Sequence, residues 1–278
     1  MIGMKRLGFI GCGNMGEAML SGALKGGFVA GEDVIVHTNT EKRLTELAEK
    51  YGIVKGKDNK DVARNSRIVI LAVKPNVYDK VMDEIKDEIH EDSIIVTVAP
   101  SFSIDLVKER LEKDVKVARS MPNTPALVGC GVSGICFSDN MKDDEKKEVI
   151  ELFNCFGLTI EVKEGLMKAV GSVSGSSPAF IYMLIEAMAD GAVLLGIPRK
   201  DAYVFAAKSV EGAARMVLET GKHPGELKDA VCSPGGTTIE GVVELDKNGF
   251  RGTIVQAMIK SAEKFKRMEE EANKNRPR

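Results

Sequence analysis

Short, almost wholly apolar runs punctuate the first half of the chain, and stretches with a helical apolar period separate them. The runs at residues 5–10, 34–38, 68–72, 93–98 and 116–121 predict buried strands, and the stretches at 14–25, 41–51, 77–85 and 104–111 predict helices. Gly26-Gly27 and Gly52 stop the first two helices, since glycine enters the left-handed conformation that closes a helix. Strands apolar on both faces, each followed by a helix, predict an α/β parallel sheet covered on both sides. A strand over 132–137, a helix over 142–156 and a strand over 158–162 complete that sheet.

After about Glu164 the pattern changes to long Ala-, Met- and Leu-rich helical segments separated by Gly and Pro. The expected division is therefore a sheet domain over residues 1–163 and an all-helical dimerisation domain over 164–278. Its first long helix, PAFIYMLIEAMADGAVLLG, is apolar around most of its circumference, so it must be covered on most sides. A second copy of the chain is the expected cover, making an obligate homodimer at least; threading through the centre of its own domain is the alternative. Pro198 opens the next helix, which runs to Gly221. The terminal KFKRMEEEANKNRPR is expected to be a solvated helix end that frays.

Composition narrows the function classes. With 278 residues, 44% of them hydrophobic, the chain has ample material for a core. A net charge of −2 with Lys and Arg scattered among Asp and Glu gives no one-sided basic field, so nucleic acid is not an expected partner. Five cysteines without a CxxC pair and three dispersed histidines predict neither a disulfide framework nor a metal site, and fit a reducing, cytoplasmic setting. MIGMKRLGFIG enters a strand at once, so no export leader is expected. Glu186 and Asp190 interrupt the most apolar stretch at helical spacing, which argues against a membrane span.

GFIGCGNMG carries G-x-G-x-x-G at Gly11, Gly13 and Gly16, directly after a strand and opening a helix, the setting of a Rossmann-type dinucleotide site. Gly11 permits the tight turn, Gly13 admits the pyrophosphate and Gly16 lets helix pack on strand. The N–H groups of Cys12, Asn14 and Met15 then face the phosphates. Where an NAD-preferring site places an acid, after the second strand, this chain reads HTNTEKR. Lys42 and Arg43 would welcome a 2′-phosphate, so NADPH is the expected cofactor, with Glu41 leaving NADH possible. LAVKPN and MPNTPA are rigid proline turns at strand ends, where ligands of such sheets bind.

CSPGGTTIEG, residues 232–241, has no strong acid or base in its first half. Thr237-Thr238-Ile239-Glu240 fits a capping box in which Thr237 caps a helix; the pattern suits a carboxylate seat on the free N–H groups and equally a plain helix start.

With GFIGCGNMG, AVKP, MPNTPA, SGSSPAFIYMLIEAMADGA, GIPR, HPGELKDAVCSPGGTTIEG and GFR in order, the chain resembles the pyrroline-5-carboxylate reductases over nearly its whole length. The resemblance implies reduction of 1-pyrroline-5-carboxylate to L-proline by NAD(P)H, the last step of proline synthesis. It also implies dimers interlocked through the helical domain that assemble further into decamers. It places the dinucleotide on Gly11, Cys12, Gly13, Asn14, Met15, Asn39, Asn59, Val73, Lys74 and Ala99, although the family's AAG reads APS at Ala99 to Ser101. It places the substrate on Ser233, Gly235, Gly236, Thr237 and Thr238 with Glu164 nearby, and makes Thr238 the candidate catalytic hydrogen-bond partner of the ring nitrogen.

The chemistry agrees. An imine nitrogen protonates in water near neutral pH, so the protein needs to position the ring more than to supply a strong acid. VGSVSGSSP lacks G-x-S-x-G and reads as a close-packed helix start facing the cofactor. Cys232 reads as inert packing, His223 as a cap of the preceding segment, and Glu186 and Asp190 as partners of groups across the dimer. A β-hydroxyacid dehydrogenase is a rival, but such enzymes carry a carbonyl-polarising lysine on the first helix of the second domain. Here Lys168 precedes the glycines, and residues 172–178 hold no lysine. A non-catalytic NADP sensor is the other rival.

Overall fold

A computed structural model describes residues 4–274. Residues 1–3, where the leaderless N-terminus was expected, and 275–278, the end of the expected fraying tail, lie outside the described residues. The first part runs β1 Lys5–Ile10, α1 Asn14–Lys25, β2 Val34–His37, α2 Glu41–Tyr51, β3 Val54–Lys55, α3 Asn59–Arg64, β4 Ser66–Leu71 and α4 Tyr78–Ile85. It continues with β5 Ile94–Thr97, α5 Ile104–Leu111, β6 Lys116–Met121, β7 Gly131–Phe137, α6 Asp143–Asn154 and β8 Gly157–Glu161. These strands form one eight-stranded sheet in the order β3-β2-β1-β4-β5-β6-β7-β8.

Side-chain alternation splits each central strand between two cores. Leu7, Phe9, Ile68 and Ile70 feed one face, and Ile10, Val69, Leu71 and Ile95 feed the other, all fully buried. Each such side chain contributes roughly 1.5–3 kcal/mol of burial, which is why the double-sided sheet was readable as apolar runs. Local signals set the helix ends: Gly52 closes α2 at φ +66°, and Ser103 Oγ accepts the Leu106 N–H at the start of α5.

Two features depart from the expected pattern. β3 and α3 had no signal in the sequence, because two paired residues and six helical ones are too short for a period to register. β7 pairs antiparallel with β6, whereas every other pairing is parallel. The connection between them is nine residues, 122–130, too short for the crossover that a parallel pair requires.

The chain divides into two compact units, residues up to 175 with 261 onward, and residues 176–260. The boundary expected after residue 163 therefore falls inside the first unit. Residues 164–175, including α7 Met167–Val170 and most of the π-helical turn Gly171–Ser176, pack on the sheet domain. A Cβ on Gly134 would stand 2.5 Å from Val170, and Asn123 Nδ2 donates to the Ser174 carbonyl at 3.0 Å.

The second unit holds α8 Ser177–Leu194, α9 Arg199–Thr220, α10 Pro224–Val231, α11 Thr237–Lys247 and the start of α12 Phe250–Lys274. Its own core among the described residues is small, built on Ala189, Ala202 and Ala206 between α8 and α9. The threaded-helix alternative is thereby removed: Met183 is 67% exposed, Leu194 88% and Phe205 63%. Asp190, expected to meet a group across the dimer, accepts from Arg199 of its own chain at 2.5 Å and stays 70% exposed. The terminal segment is also corrected. α12 stays helical to Lys274, Phe265 packs against Gly171, and Glu269 is 14% exposed in an ion-pair cluster rather than solvated.

Candidate active site

The carboxyl ends of β1 and β4 flank the point where strand order reverses, and the glycine loop lies there. Gly11 has φ +79°, and a Cβ on it would stand 2.5 Å from Val73 Cγ1 and 2.9 Å from the Ala72 carbonyl. Gly16 would bring a Cβ to 3.1 Å from the Ala72 methyl, so both glycines are demanded by packing. Gly13 is different, because nothing lies within 4 Å of where its Cβ would be. It also N-caps α1 without a side chain, leaving the first-turn N–H groups of Asn14 and Met15 outside the helical ladder. That open space beside a positive helix end fits a pyrophosphate.

Seven of the ten residues expected at the dinucleotide, Gly11, Cys12, Gly13, Asn39, Asn59, Val73 and Lys74, line one cleft of about 590 Å³. Asn14 and Met15 start α1 beside it, while Ala99 is 2% exposed beyond β5 and does not line it. Lys80 and Glu84 of α4 complete the wall. Sequence reasoning missed Glu84, which fixes Asn59 through a 2.7 Å hydrogen bond; only the fold brings these positions, 25 apart, together.

Charge around the cleft is arranged in pairs. Arg43 lines it and is held by Glu17 of α1, which also accepts from Lys50 and Tyr51 at 2.9 Å each. Burial raises the Glu17 pKa, but the hydrogen bonds from Arg43, Lys50 and Tyr51 outweigh it and hold the group down at about 2. Glu41 is drawn outward to Lys55 at 3.0 Å. Burial pushes the Cys12 thiol up to about 12, only partly opposed by Arg43, so it stays a thiol and is inert.

Tyr78, fully buried and absent from the sequence-derived site, stiffens the strand ends that carry the cleft. Its hydroxyl donates to the Leu71 carbonyl and accepts the Val98 N–H at 3.3 Å, joining the ends of β4 and β5. Its ring stacks on Phe102 at 4.6 Å. In MPNTPA, Asn123 is a clamp: its Oδ1 accepts the Val132 N–H at 2.9 Å while its Nδ2 holds the serine-rich turn.

Glu164 is committed within its own unit. Its Oε1 accepts from the Ile104 N–H at 2.8 Å and from Arg119 Nη1 at 2.9 Å. Arg119, 2% exposed, also donates to the Pro100 carbonyl at 2.8 Å and pairs with Glu269, and Lys168 Nζ lies 2.6 Å from the same carboxylate. Lys168 is thus spent in an ion pair rather than presented to a carbonyl. A second cavity of about 650 Å³ beside Glu164 has charged walls and no glycine cradle.

Within the other unit, Ser233 to Gly236 form a tight turn closed by the Gly236 N–H to the Ser233 carbonyl at 3.0 Å, with Gly235 at φ +66°. A Cβ on Gly236 would strike Ser233 Oγ at 2.4 Å. The capping box is corrected here. Gly236, extended at φ −83° and ψ 168°, is the N-cap, so Thr237 and Thr238 occupy the first two helical positions and Glu240 falls one residue beyond the box. The turn completes itself, and the helix begins, one residue earlier than the spacing implied. Both threonines are exposed in this unit, at a helix start with no side-chain cap. His223 likewise caps the helix after it, accepting the Gly225 N–H at 3.0 Å, rather than the segment before.

Comparison with known proteins covers the same two regions. Residues 164–268 match the family model described as pyrroline-5-carboxylate reductase dimerisation, and residues 6–101 match NADP oxidoreductase coenzyme F420-dependent. The chain is 44% identical over 264 residues to the pyrroline-5-carboxylate reductase of Escherichia coli (strain K12), covering 95% of this chain and 98% of that one. It is 42% identical over 264 residues to that of Methanosarcina acetivorans, with the same shares covered. The crystal structure of Plasmodium falciparum pyrroline carboxylate reductase with NADP bound superposes with a TM-score of 0.87 at 30% identity, covering 96% of this chain and all of that one. An α/β dinucleotide-binding sheet followed by a dimerisation-type helical region, matched end to end at this identity, makes the chain a member of the pyrroline-5-carboxylate reductase family.

Proposed function

We infer that this chain reduces 1-pyrroline-5-carboxylate to L-proline, the last step of proline biosynthesis, with NADPH preferred and NADH accepted. The observation that carries the reading is the start of α11, where a glycine N-cap leaves first-turn N–H groups and two threonine hydroxyls available to a carboxylate. Ser233, Gly235, Gly236 and Thr237 make that seat, and Thr238 orients the ring nitrogen. Within its own unit Glu164 orders Arg119 and the start of α5. The glycine loop holds the pyrophosphate, with Asn39, Lys42 and Arg43 toward the 2′-phosphate and Asn59, Val73 and Lys74 along the remainder. Reduced nicotinamide supplies the hydride to the imine carbon. The ring nitrogen takes its proton from water, so Thr238 need only position it.

The exposed apolar residues of α8 and α9 favour a homodimer, and we propose that dimers assemble further into a decamer. The helical run Glu164–Leu194 is long and apolar enough to cross a membrane by length and composition. A second copy is the cover we assign it, in a cytoplasmic enzyme without membrane or nucleic-acid partners. The functional division we propose follows the expected one, residues 1–163 for cofactor and 164–278 for substrate and dimerisation.

The test is NADPH oxidation with 1-pyrroline-5-carboxylate beside a panel of 3-hydroxy acids assayed in the oxidative direction. Turnover with the imine is expected; turnover confined to hydroxy acids would overturn the reading.

A further inference from the structure

We propose that Glu17 is a specificity-determining residue: its carboxylate offsets the charge of Arg43 in the wall of the dinucleotide cleft and so sets how strongly the enzyme prefers a 2′-phosphorylated dinucleotide. The inference rests on the cofactor reading above and deepens it.

In dinucleotide-binding sheets the acid that discriminates against a 2′-phosphate ordinarily ends the second strand. Here β2 ends in His37, whose Nδ1 lies 3.1 Å from the Gly56 carbonyl, and neutral Thr38, Asn39 and Thr40 follow. The next acid, Glu41, is turned to Lys55 with its side chain 77% exposed. The acid that holds Arg43, itself in the cleft wall, comes from α1 instead. Glu17, one residue past the last glycine of the motif, takes Arg43 on Oε2, and Lys50 and Tyr51 fill Oε1 at 2.9 Å each. Its side chain is only 19% exposed, so the pair is partly shielded from solvent.

Arg43 lines the cleft together with Gly13 and Asn39, and its Nη1 also lies 3.8 Å from Glu46. Counted together, Arg43 and Lys50 balance Glu17 and Glu46. A guanidinium in that setting still offers hydrogen bonds to a phosphate, but its long-range pull is largely cancelled. A dinucleotide bearing only a 2′-hydroxyl loses nothing by the cancellation. The cluster therefore narrows the gap between the two cofactors from the NADPH side, using an acid on α1 rather than one at the end of the second strand, where sequence motifs look for it.

Dissociation constants of NADPH and NADH, measured by nucleotide fluorescence on the full-length protein and on Glu17→Gln, test this directly. The charge-removing, shape-keeping variant should raise the NADPH:NADH affinity ratio roughly fivefold, and the gain should shrink as salt is added. Arg43→Gln, which carries the test if Glu17→Gln does not fold, should lower the same ratio about tenfold. An unchanged ratio in Glu17→Gln, a salt-independent change, or no loss in Arg43→Gln would overturn the proposal. Wild-type protein that binds neither dinucleotide would overturn it along with the cofactor reading, whereas tight wild-type binding with an unchanged ratio in the variant would overturn the charge offset alone.

Discussion

Replacing Gly11 by alanine should damage the fold, and replacing Gly13 two residues later should damage only dinucleotide binding. At Gly11 the backbone sits at φ +79°, which costs a side-chain-bearing residue about 1–2 kcal/mol. The new methyl would also lie 2.5 Å from Val73 Cγ1 and 2.9 Å from the Ala72 carbonyl. Neither the branched side chain nor the half-buried backbone just beyond β4 yields easily, which adds about 1–3 kcal/mol. The sum, about 2–5 kcal/mol, is a large part of a typical domain's stability. At Gly13 φ is −77° and no atom lies within 4 Å of the new methyl. Alanine is a poorer N-cap than glycine but stiffens the unfolded chain, and these effects offset to within about 1 kcal/mol. The methyl nevertheless occupies the space a pyrophosphate needs, so NADPH affinity should fall at least about tenfold. Urea unfolding of both variants and NADPH titration of the second decide the matter. Equal destabilisation of the two variants, or wild-type NADPH affinity in Gly13→Ala, would refute the assignment of one glycine to packing and the other to ligand.

Gly236→Val should raise the KM for 1-pyrroline-5-carboxylate while leaving NADPH affinity near normal, because its side chain would strike Ser233 Oγ and deform the turn; loss of NADPH binding instead would show the loop to be misassigned. Thr238→Ala should lower kcat without abolishing it, since the iminium forms in water, and total loss in a folded variant would mean the hydroxyl does more than orient the ring. The depressed pKa of Glu17 makes its charged form the one that stabilises the fold. That stabilisation is present above about pH 4.5 and is lost as pH falls toward about 2. Acid titration followed by circular dichroism should show a shallower decline over this window in Glu17→Gln, and an unchanged acid limb would remove the group from the stability balance.

Most of the sheet was legible because a strand buried on both faces leaves a contiguous apolar run, and the glycine loop because its three residues answer local steric demands. The helix starting at Thr237 was legible too, but its frame was not. Whether a threonine or the preceding glycine caps depends on how the Ser-Pro-Gly-Gly turn closes, and the spacing fits either frame. Tyr78 left no trace in the pattern because it reads like any apolar helix residue; its work, tying β4 to β5, is done by a hydroxyl among residues 7 and 20 positions away. Arg119 and Glu269, 150 positions apart, are further beyond any local rule.

The amino-acid sequence alone determined the alternation of strand and helix, the place of the dinucleotide loop, the change to helices after Glu164 and the apolar faces that need a second copy. These follow from forces acting within a few residues: side-chain period, glycine conformations and helix propensity. The tertiary structure decided the antiparallel turn of β7, the docking of α12 through Glu269, the partners of Glu164 and Lys168, and the acid that faces Arg43. Those are contacts between distant segments. Which charge meets which is settled only when the sheet order has brought their backbones together, since the same Lys and Glu residues read along the chain offer many pairings of equal merit.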